Sequence, residues 1–372
     1  MPIDQSLLHE KLDIAEKAFR LWRSESLSGR LSLIDRLGTL LLDQKEKLSL
    51  EMTAEMGKPI TQARAEIEKC AWLCRYYVET AEEHLSPRKV ETDASNSFVR
   101  YDPLGPVLAI MPWNYPFWQV FRFAVPALAA GNTGLLKHAP NVGICAGSIE
   151  QLFEAAGFPP GVFQNLYIEE SQVSEVIASP QLRAVTLPGS TRAGKAVGAL
   201  SGGHLKKMVM ELGGSNALIV FPDADLEETL EECVQARFQN TGQSCIAGKR
   251  LLLHADIAEE FTTRLVAEVE KLPCGDPIDP ETYIGVLARE DLAEHLEDQM
   301  RKSIKMGAEL ACGGGREGAF FQPTVLLGVT PQMPVFSQET FGPLLAVTTF
   351  ESEQTAVSLS NQSTYGLGVS VF

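Results

Sequence analysis

The feature that most restricts the fold is an alternation. Between residues 107 and 271, short apolar runs take turns with longer segments of helical spacing. Apolar runs at 107–111, 133–137, 162–167 and 184–187 are interspersed with helical stretches at 119–130 and 142–156. Runs of this kind suit parallel strands buried on both faces, since a parallel neighbour needs a crossover long enough to return along the sheet, normally a helix. After residues 208–211 the pattern resumes with an apolar run at 217–220, a helix over 225–239, a run at 250–253 and a helix over 256–271. Two α/β units follow, residues 1–212 and 213–372, with the boundary near Leu212. Amphipathic helices over 7–22, 31–56 and 60–83 open the chain, and Gly57-Lys58-Pro59 stops the second of them. The chain closes on Ser370-Val371-Phe372, inside what reads as a strand.

With 372 residues, 45% hydrophobic and 22% charged, the chain has enough apolar material for two cores, a composition that disfavours disorder. A formal net charge of −16 disfavours nucleic acid and anionic membrane surfaces, because both reward clustered Lys and Arg. The first residues are neither a basic leader nor an apolar span, which points to the cytoplasm. The seven cysteines show neither a disulfide framework nor metal-site spacing, and no metal is expected. Cys70 and Cys74 stand one helical turn apart and are read as facing the core.

Chemistry concentrates in three places. Phe238-Gln239-Asn240-Thr241-Gly242-Gln243-Ser244-Cys245 sets a thiol among small, flexible and amide residues directly after a helix. A free Cys is ordinarily an inert small hydrophobe, so the company of Cys245 decides its reading. Met210-Glu211-Leu212-Gly213-Gly214 puts a carboxylate before two glycines, and Pro112-Trp113-Asn114-Tyr115-Pro116 is a rigid turn bearing an amide. Standing alone, Glu211 reads as a solvated surface group, Asn114 as a turn amide and Trp113 as core. Together, a nucleophile, a base and a neutral donor are the parts of a covalent acyl-enzyme mechanism. The turn Gly189-Ser190-Thr191-Arg192-Ala193-Gly194-Lys195-Ala196 nearly spells a nucleoside-triphosphate loop, but Ala196 lacks the oxygen that loop needs for Mg²⁺. A helix starting there still offers unpaired N–H groups to a pyrophosphate.

These segments, in this order, resemble the aldehyde dehydrogenase superfamily, and the resemblance runs from the first helices to the last residue. Lys137-His138-Ala139-Pro140 and Glu339-Thr340-Phe341-Gly342-Pro343 resemble it as well. Within it, Glu55-Met56-Gly57-Lys58-Pro59-Ile60 and Met111-Pro112-Trp113-Asn114-Tyr115-Pro116-Phe117-Trp118-Gln119 look most like bacterial succinate-semialdehyde dehydrogenases. The resemblance implies an α/β fold with a Rossmann-type cofactor domain, discontinuous in sequence, and an α/β catalytic domain. It also implies an oligomerisation arm and further C-terminal residues that this chain lacks, hence a homo-oligomer when full length.

It further implies NADP or NAD as cofactor and a small-molecule aldehyde as substrate, with oxidation of succinate semialdehyde to succinate as the expected reaction. Cys245 attacks the aldehyde, Asn114 and the Cys245 N–H hold the oxyanion, and Glu211 activates water against the thioester. Trp113, Asn114, Lys137, His138, Ala139, Pro140, Gly189, Ser190, Leu212, Glu339 and Phe341 are the implied cofactor contacts. Arg122 is the implied partner of a substrate carboxylate; read from the residues alone it is equally a helix-surface charge. A second arginine used by some members is replaced by Gln239. Pro140 stands where NAD-preferring relatives often carry Glu, which implies tolerance of NADP and leaves His138 to add a donor. The alternatives are a dehydrogenase for another small aldehyde, a CoA-acylating member, which would not need Glu211, and a catalytically silent scaffold.

Overall fold

A computed structural model describes residues 3–372. The first of its two units holds the described residues up to Glu55 together with Arg64–Glu211, and the second holds Met56–Ala63 and Leu212–Phe372. Among the described residues no helix is long and apolar enough to cross a membrane.

The opening helices are Gln5–Trp22, Leu27–Asp43, Lys45–Met56 and Ile60–Leu85. The single helix expected over 31–56 is therefore two, parted at Gln44, whose ψ of 10° leaves the helical range. A short hairpin, β1 (Arg88–Lys89) and β2 (Phe98–Val99), precedes the central sheet of the first unit. That sheet contains β3 (Pro106–Met111), β4 (Thr133–His138), β5 (Phe163–Asn165), β6 (Ala184–Pro188) and β7 (Lys207–Glu211). All pair in parallel, in the spatial order β5-β4-β3-β6-β7. Counted by appearance this is the order of a dinucleotide-binding sheet, with its direction of growth reversing between β3 and β6.

Helices Trp118–Ala129 and Gly143–Ala156, the turn after the latter and β5 each contribute to an aromatic cluster in this unit. Phe121, Phe153, Phe158 and Phe163 are buried, and the Phe153 and Phe163 rings stack with centroids 4.1 Å apart. Each ring removed from water contributes roughly 2–3 kcal/mol. Neither helix has a capping side chain of its own. Carboxylates from the opening helices serve instead. Glu66 accepts from the Phe117 and Trp118 N–H groups at 2.9 Å, and Glu55 accepts from Ile144 and Cys145 at 2.7 and 2.8 Å. A negative charge at a helix N-terminus satisfies orphan donors and suits the dipole.

The second unit is built on β8 (Asn216–Val220), β9 (Gly248–His254), β10 (Glu309–Cys312), the small hairpin β11 (Arg316–Glu317) with β12 (Phe320–Phe321), β13 (Thr324–Leu327), β14 (Leu344–Phe350) and β15 (Val369–Val371). Its six-stranded sheet has the order β10-β13-β14-β9-β8-β15 and is parallel except for β10. Helices Leu226–Phe238 and Ala255–Glu270 contribute to a core on one face, and Glu290–Lys305 to a core on the other. The two faces explain why the strands read as continuous apolar runs rather than alternating ones.

Candidate active site

In the first unit, the carboxyl ends of the parallel strands gather most of the expected cofactor residues. Trp113 and Asn114 follow β3, with Asn114 buried; Lys137 and His138 end β4; Gly189 and Ser190 follow β6; Glu211 ends β7. Ligands of open parallel sheets bind along this edge. Ser190 is the N-cap of helix Thr191–Gly203, its Oγ accepting from the Ala193 N–H at 3.2 Å, and the Gly189 N–H donates to the Glu211 carbonyl at 2.8 Å. Lys137 is 6% exposed, and burial lowers its pKa against the opposing pull of Glu170. A desolvated cation and a helix N-terminus on the same edge of one sheet are donors that fit an anionic dinucleotide.

His138 departs from its expected role. Its Nε2 donates to the Pro116 carbonyl at 2.9 Å and its Nδ1 accepts from the Ala139 N–H at 2.9 Å, so the backbone takes both ring nitrogens. Burial pushes its pKa down to about 4, and the ring is neutral. It ties the turn after β3 to β4 instead of offering a donor to a phosphate. Pro140 is exposed at the start of the short turn that follows.

Arg122 and Glu211 meet each other. The guanidinium lies 3.5 Å from the Glu211 carboxylate, with both side chains partly exposed. They line one apolar cavity of about 560 Å³ with Met111, Phe123 and Met208.

The second unit assembles the thiol. Helix Leu226–Phe238 ends at Gln239, and the chain then enters the left-handed region at Asn240 (φ 57°), Thr241 (φ 54°) and Gly242 (φ 70°). A β-branched residue there is strained and must be held by its surroundings. The Thr241 Oγ1 accepts from the Gly285 N–H at 3.1 Å, the Asn240 N–H donates to Gln62 Oε1 at 2.6 Å, and Gln243 Oε1 accepts from the Ala288 N–H at 2.9 Å. Gly242 admits no side chain, since a Cβ would lie 2.4 Å from the Gly342 carbonyl oxygen. The residues that read as flexible are thus braces. Cys245 emerges from them partly exposed, whereas Cys70, Cys74, Cys145, Cys233 and Cys312 are buried and Cys274 is exposed elsewhere. Burial pushes the Cys74 and Cys233 thiols up to about 12 and raises Cys145 further, which leaves them unreactive.

Around this loop the unit packs Leu212-Gly213-Gly214 and the Glu339–Phe341 segment. The Glu339 carboxylate accepts from the Gly214 N–H at 3.1 Å. A Cβ on Gly213 would fall 2.4 Å from Glu339 Oε2, and one on Gly214 2.7 Å from the Cys245 carbonyl oxygen. Both glycines therefore serve close approach. Two buried cations, absent from the sequence expectations, complete the arrangement. Arg237 donates to the carbonyls of Thr340, Gly342 and Leu344, and Lys249 reaches the Cys245 loop and Glu339. Arg237 lies within helix Leu226–Phe238 and Lys249 within β9, and no sequence motif marks either. Among the described residues no cluster of His, Cys, Asp and Glu is arranged to hold a metal.

Comparison with known proteins agrees across the chain. Residues 3–372 match the family model described as the aldehyde dehydrogenase family. The chain is 45% identical over 368 residues to the probable succinate-semialdehyde dehydrogenase [NADP(+)] of Synechocystis sp., spanning 98% of this chain and 81% of that protein. It is 44% identical, over 98% of this chain and 80% of the relative, to the succinate semialdehyde dehydrogenase [NAD(P)+] Sad of Escherichia coli. Among solved structures, succinic semialdehyde dehydrogenase from Streptococcus pyogenes in complex with NADP+ superposes with a TM-score of 0.98 at 34% identity. That match covers all of this chain and 83% of the other.

Proposed function

The chain belongs to the aldehyde dehydrogenase family, and on that premise we propose that it oxidises succinate semialdehyde to succinate with NADP or NAD. The observation that carries the substrate is the identity of 44–45%, over nearly the whole chain, to relatives named for that activity. The cofactor follows from the same names, from the NADP+ complex of a relative and from the sheet order of the first unit.

In this reading Cys245, as thiolate, adds to the aldehyde carbon to give a thiohemiacetal. The Asn114 amide and the Cys245 N–H hold the oxyanion, each such donor contributing roughly 3 kcal/mol in the transition state. A nicotinamide held by Leu212, Glu339 and Phe341 would supply the hydride acceptor needed for the thiohemiacetal to become a thioester. Glu211 then removes a proton from water as it attacks the thioester, returning the thiol and releasing the carboxylate. Arg122 holds the distal carboxylate of the substrate. Since it pairs with Glu211 in the structure, substrate binding and liberation of the base are one exchange: the incoming carboxylate replaces Glu211 at the guanidinium.

Lys137 and Ser190 hold the adenosine end of the cofactor, with Trp113, Ala139, Pro140 and Gly189 shaping that side. Leu212, Glu339 and Phe341 hold the nicotinamide end, Glu339 by accepting from ribose hydroxyls. His138 acts through the backbone it ties.

The test is nicotinamide reduction across a panel of succinate semialdehyde, its one-carbon-longer homologue and neutral aldehydes of equal length. A kcat/KM for succinate semialdehyde at least about tenfold above the neutral aldehydes is expected, which is the worth of one charged contact. Equal rates would remove Arg122 from the substrate and favour another small aldehyde.

A further inference from the structure

The proposed chemistry makes no use of Lys249, yet its side chain is wholly buried. Stripping water from an ammonium costs several kcal/mol unless good partners replace it. Here they do. Nζ donates at 2.8 Å to the Ser244 carbonyl and at 2.8 Å to the Cys245 carbonyl, and lies 3.3 Å from Glu339 Oε1. It also stands 5.9 Å from the centroid of the Phe341 ring. One ammonium thus touches the thiol loop and the Glu339–Phe341 segment at once. A lysine that only filled core space would have no reason to direct its donors at these two segments, and methionine would fill that space without the desolvation cost.

The charged and titratable groups facing Lys249 are Glu339, Arg237 and Cys245. Burial pushes the Lys249 pKa down to about 8; Glu339 and Cys245 oppose the fall and Arg237 adds to it. The ammonium is therefore present at neutral pH and disappears under mildly alkaline conditions.

We propose that Lys249 is a positioning residue for the thiol: its ammonium fixes the Ser244 and Cys245 carbonyls against the Glu339 carboxylate and supplies positive charge that favours Cys245 as thiolate. The proposal rests on the reading of Cys245 as nucleophile and Glu339 as ribose carboxylate. It adds that the two are held by one charge.

The experiment is alkylation by iodoacetamide of the full chain across a pH series, with Cys245 adducts counted by peptide mass spectrometry apart from those of exposed Cys274. Lys249→Met keeps the reach of the side chain and removes the charge. Its half-maximal Cys245 alkylation should move up by about one pH unit or more, the low end of what one opposite charge within a few ångströms does to a titrating group. Its NADP dissociation constant should rise several-fold. An unmoved alkylation profile in folded Lys249→Met overturns the proposal, whatever happens to NADP. A moved profile with unchanged NADP affinity upholds the effect on the thiol and removes Glu339 from the cofactor instead. Should Lys249→Met fail to fold, Lys249→Arg decides, because it retains the charge: a profile at the parent's position supports the proposal, and a rise of about one unit overturns it.

Discussion

Among the described residues Cys245 is neither buried, as Cys70, Cys74, Cys145, Cys233 and Cys312 are, nor exposed as Cys274 is. Replacing its sulfur should remove the covalent step and leave the cofactor contacts in place. Cys245→Ala is expected to lose aldehyde oxidation by orders of magnitude while NADP affinity, measured by fluorescence titration, stays within about twofold. Appreciable turnover in the folded variant would reassign the nucleophile. Glu211 is assigned to the later step, so Glu211→Gln should give a burst of reduced nicotinamide followed by a steady state about 10²–10⁴-fold slower. If burst and steady state slow together, Glu211 acts on the thiol as well. These two residues were singled out in sequence by the segments that carry them, Glu211 only through its place before Leu212-Gly213-Gly214. Lys249 and Arg237 were not, since their partners are carbonyls and a carboxylate brought together only by the fold.

At the scale of elements, the alternation of apolar runs and helical segments foretold the five strands of the first sheet and β8 and β9 of the second, because parallel strands covered on both faces leave a plain signal, whereas β10, β13 and β14 were not read from the sequence. The break at Gln44 left none, as the residues on either side keep helical spacing. Nor could composition distinguish bracing from flexibility at Asn240 and Thr241, whose left-handed backbone is imposed by hydrogen bonds to residues distant in the chain. The turn after β4 bears on cofactor choice. Pro140 is exposed beside the end of the strand that carries Lys137 and brings no negative charge there. Pro140→Glu should shift the ratio of kcat/KM for NADP to that for NAD toward NAD by about tenfold, through repulsion of a 2′-phosphate and acceptance from ribose hydroxyls. A parent already strongly selective for NAD, or a variant with no shift, would place selectivity elsewhere.

At the scale of the whole molecule, the buried neutral imidazole of His138 ties stability to pH. Its folded pKa of about 4 lies below the ordinary value of 6.5. The unfolded chain therefore takes up this proton first, and the stability present above pH 6.5 is lost as pH falls through about 4. The loss is on the order of 3 kcal/mol. Urea midpoints for the parent should fall over that window, and His138→Gln should flatten this part of the curve. An unchanged slope in the variant would show that other groups govern the acid limb.

The return of Met56–Ala63 to the second unit has a consequence for dissecting the chain. Gln62 accepts from the Asn240 N–H and donates to the Tyr283 carbonyl, and the Ile60 N–H donates to the Pro277 carbonyl. The scaffold of the thiol loop is thus non-contiguous, and a cut before Leu212 severs it from one of its own struts. A recombinant fragment of residues 212–372 should show rapid amide hydrogen exchange at residues 240–245. Fusing residues 56–63 to it through a flexible linker should restore protection, as an inserted splint mends a joint that neither piece can hold alone.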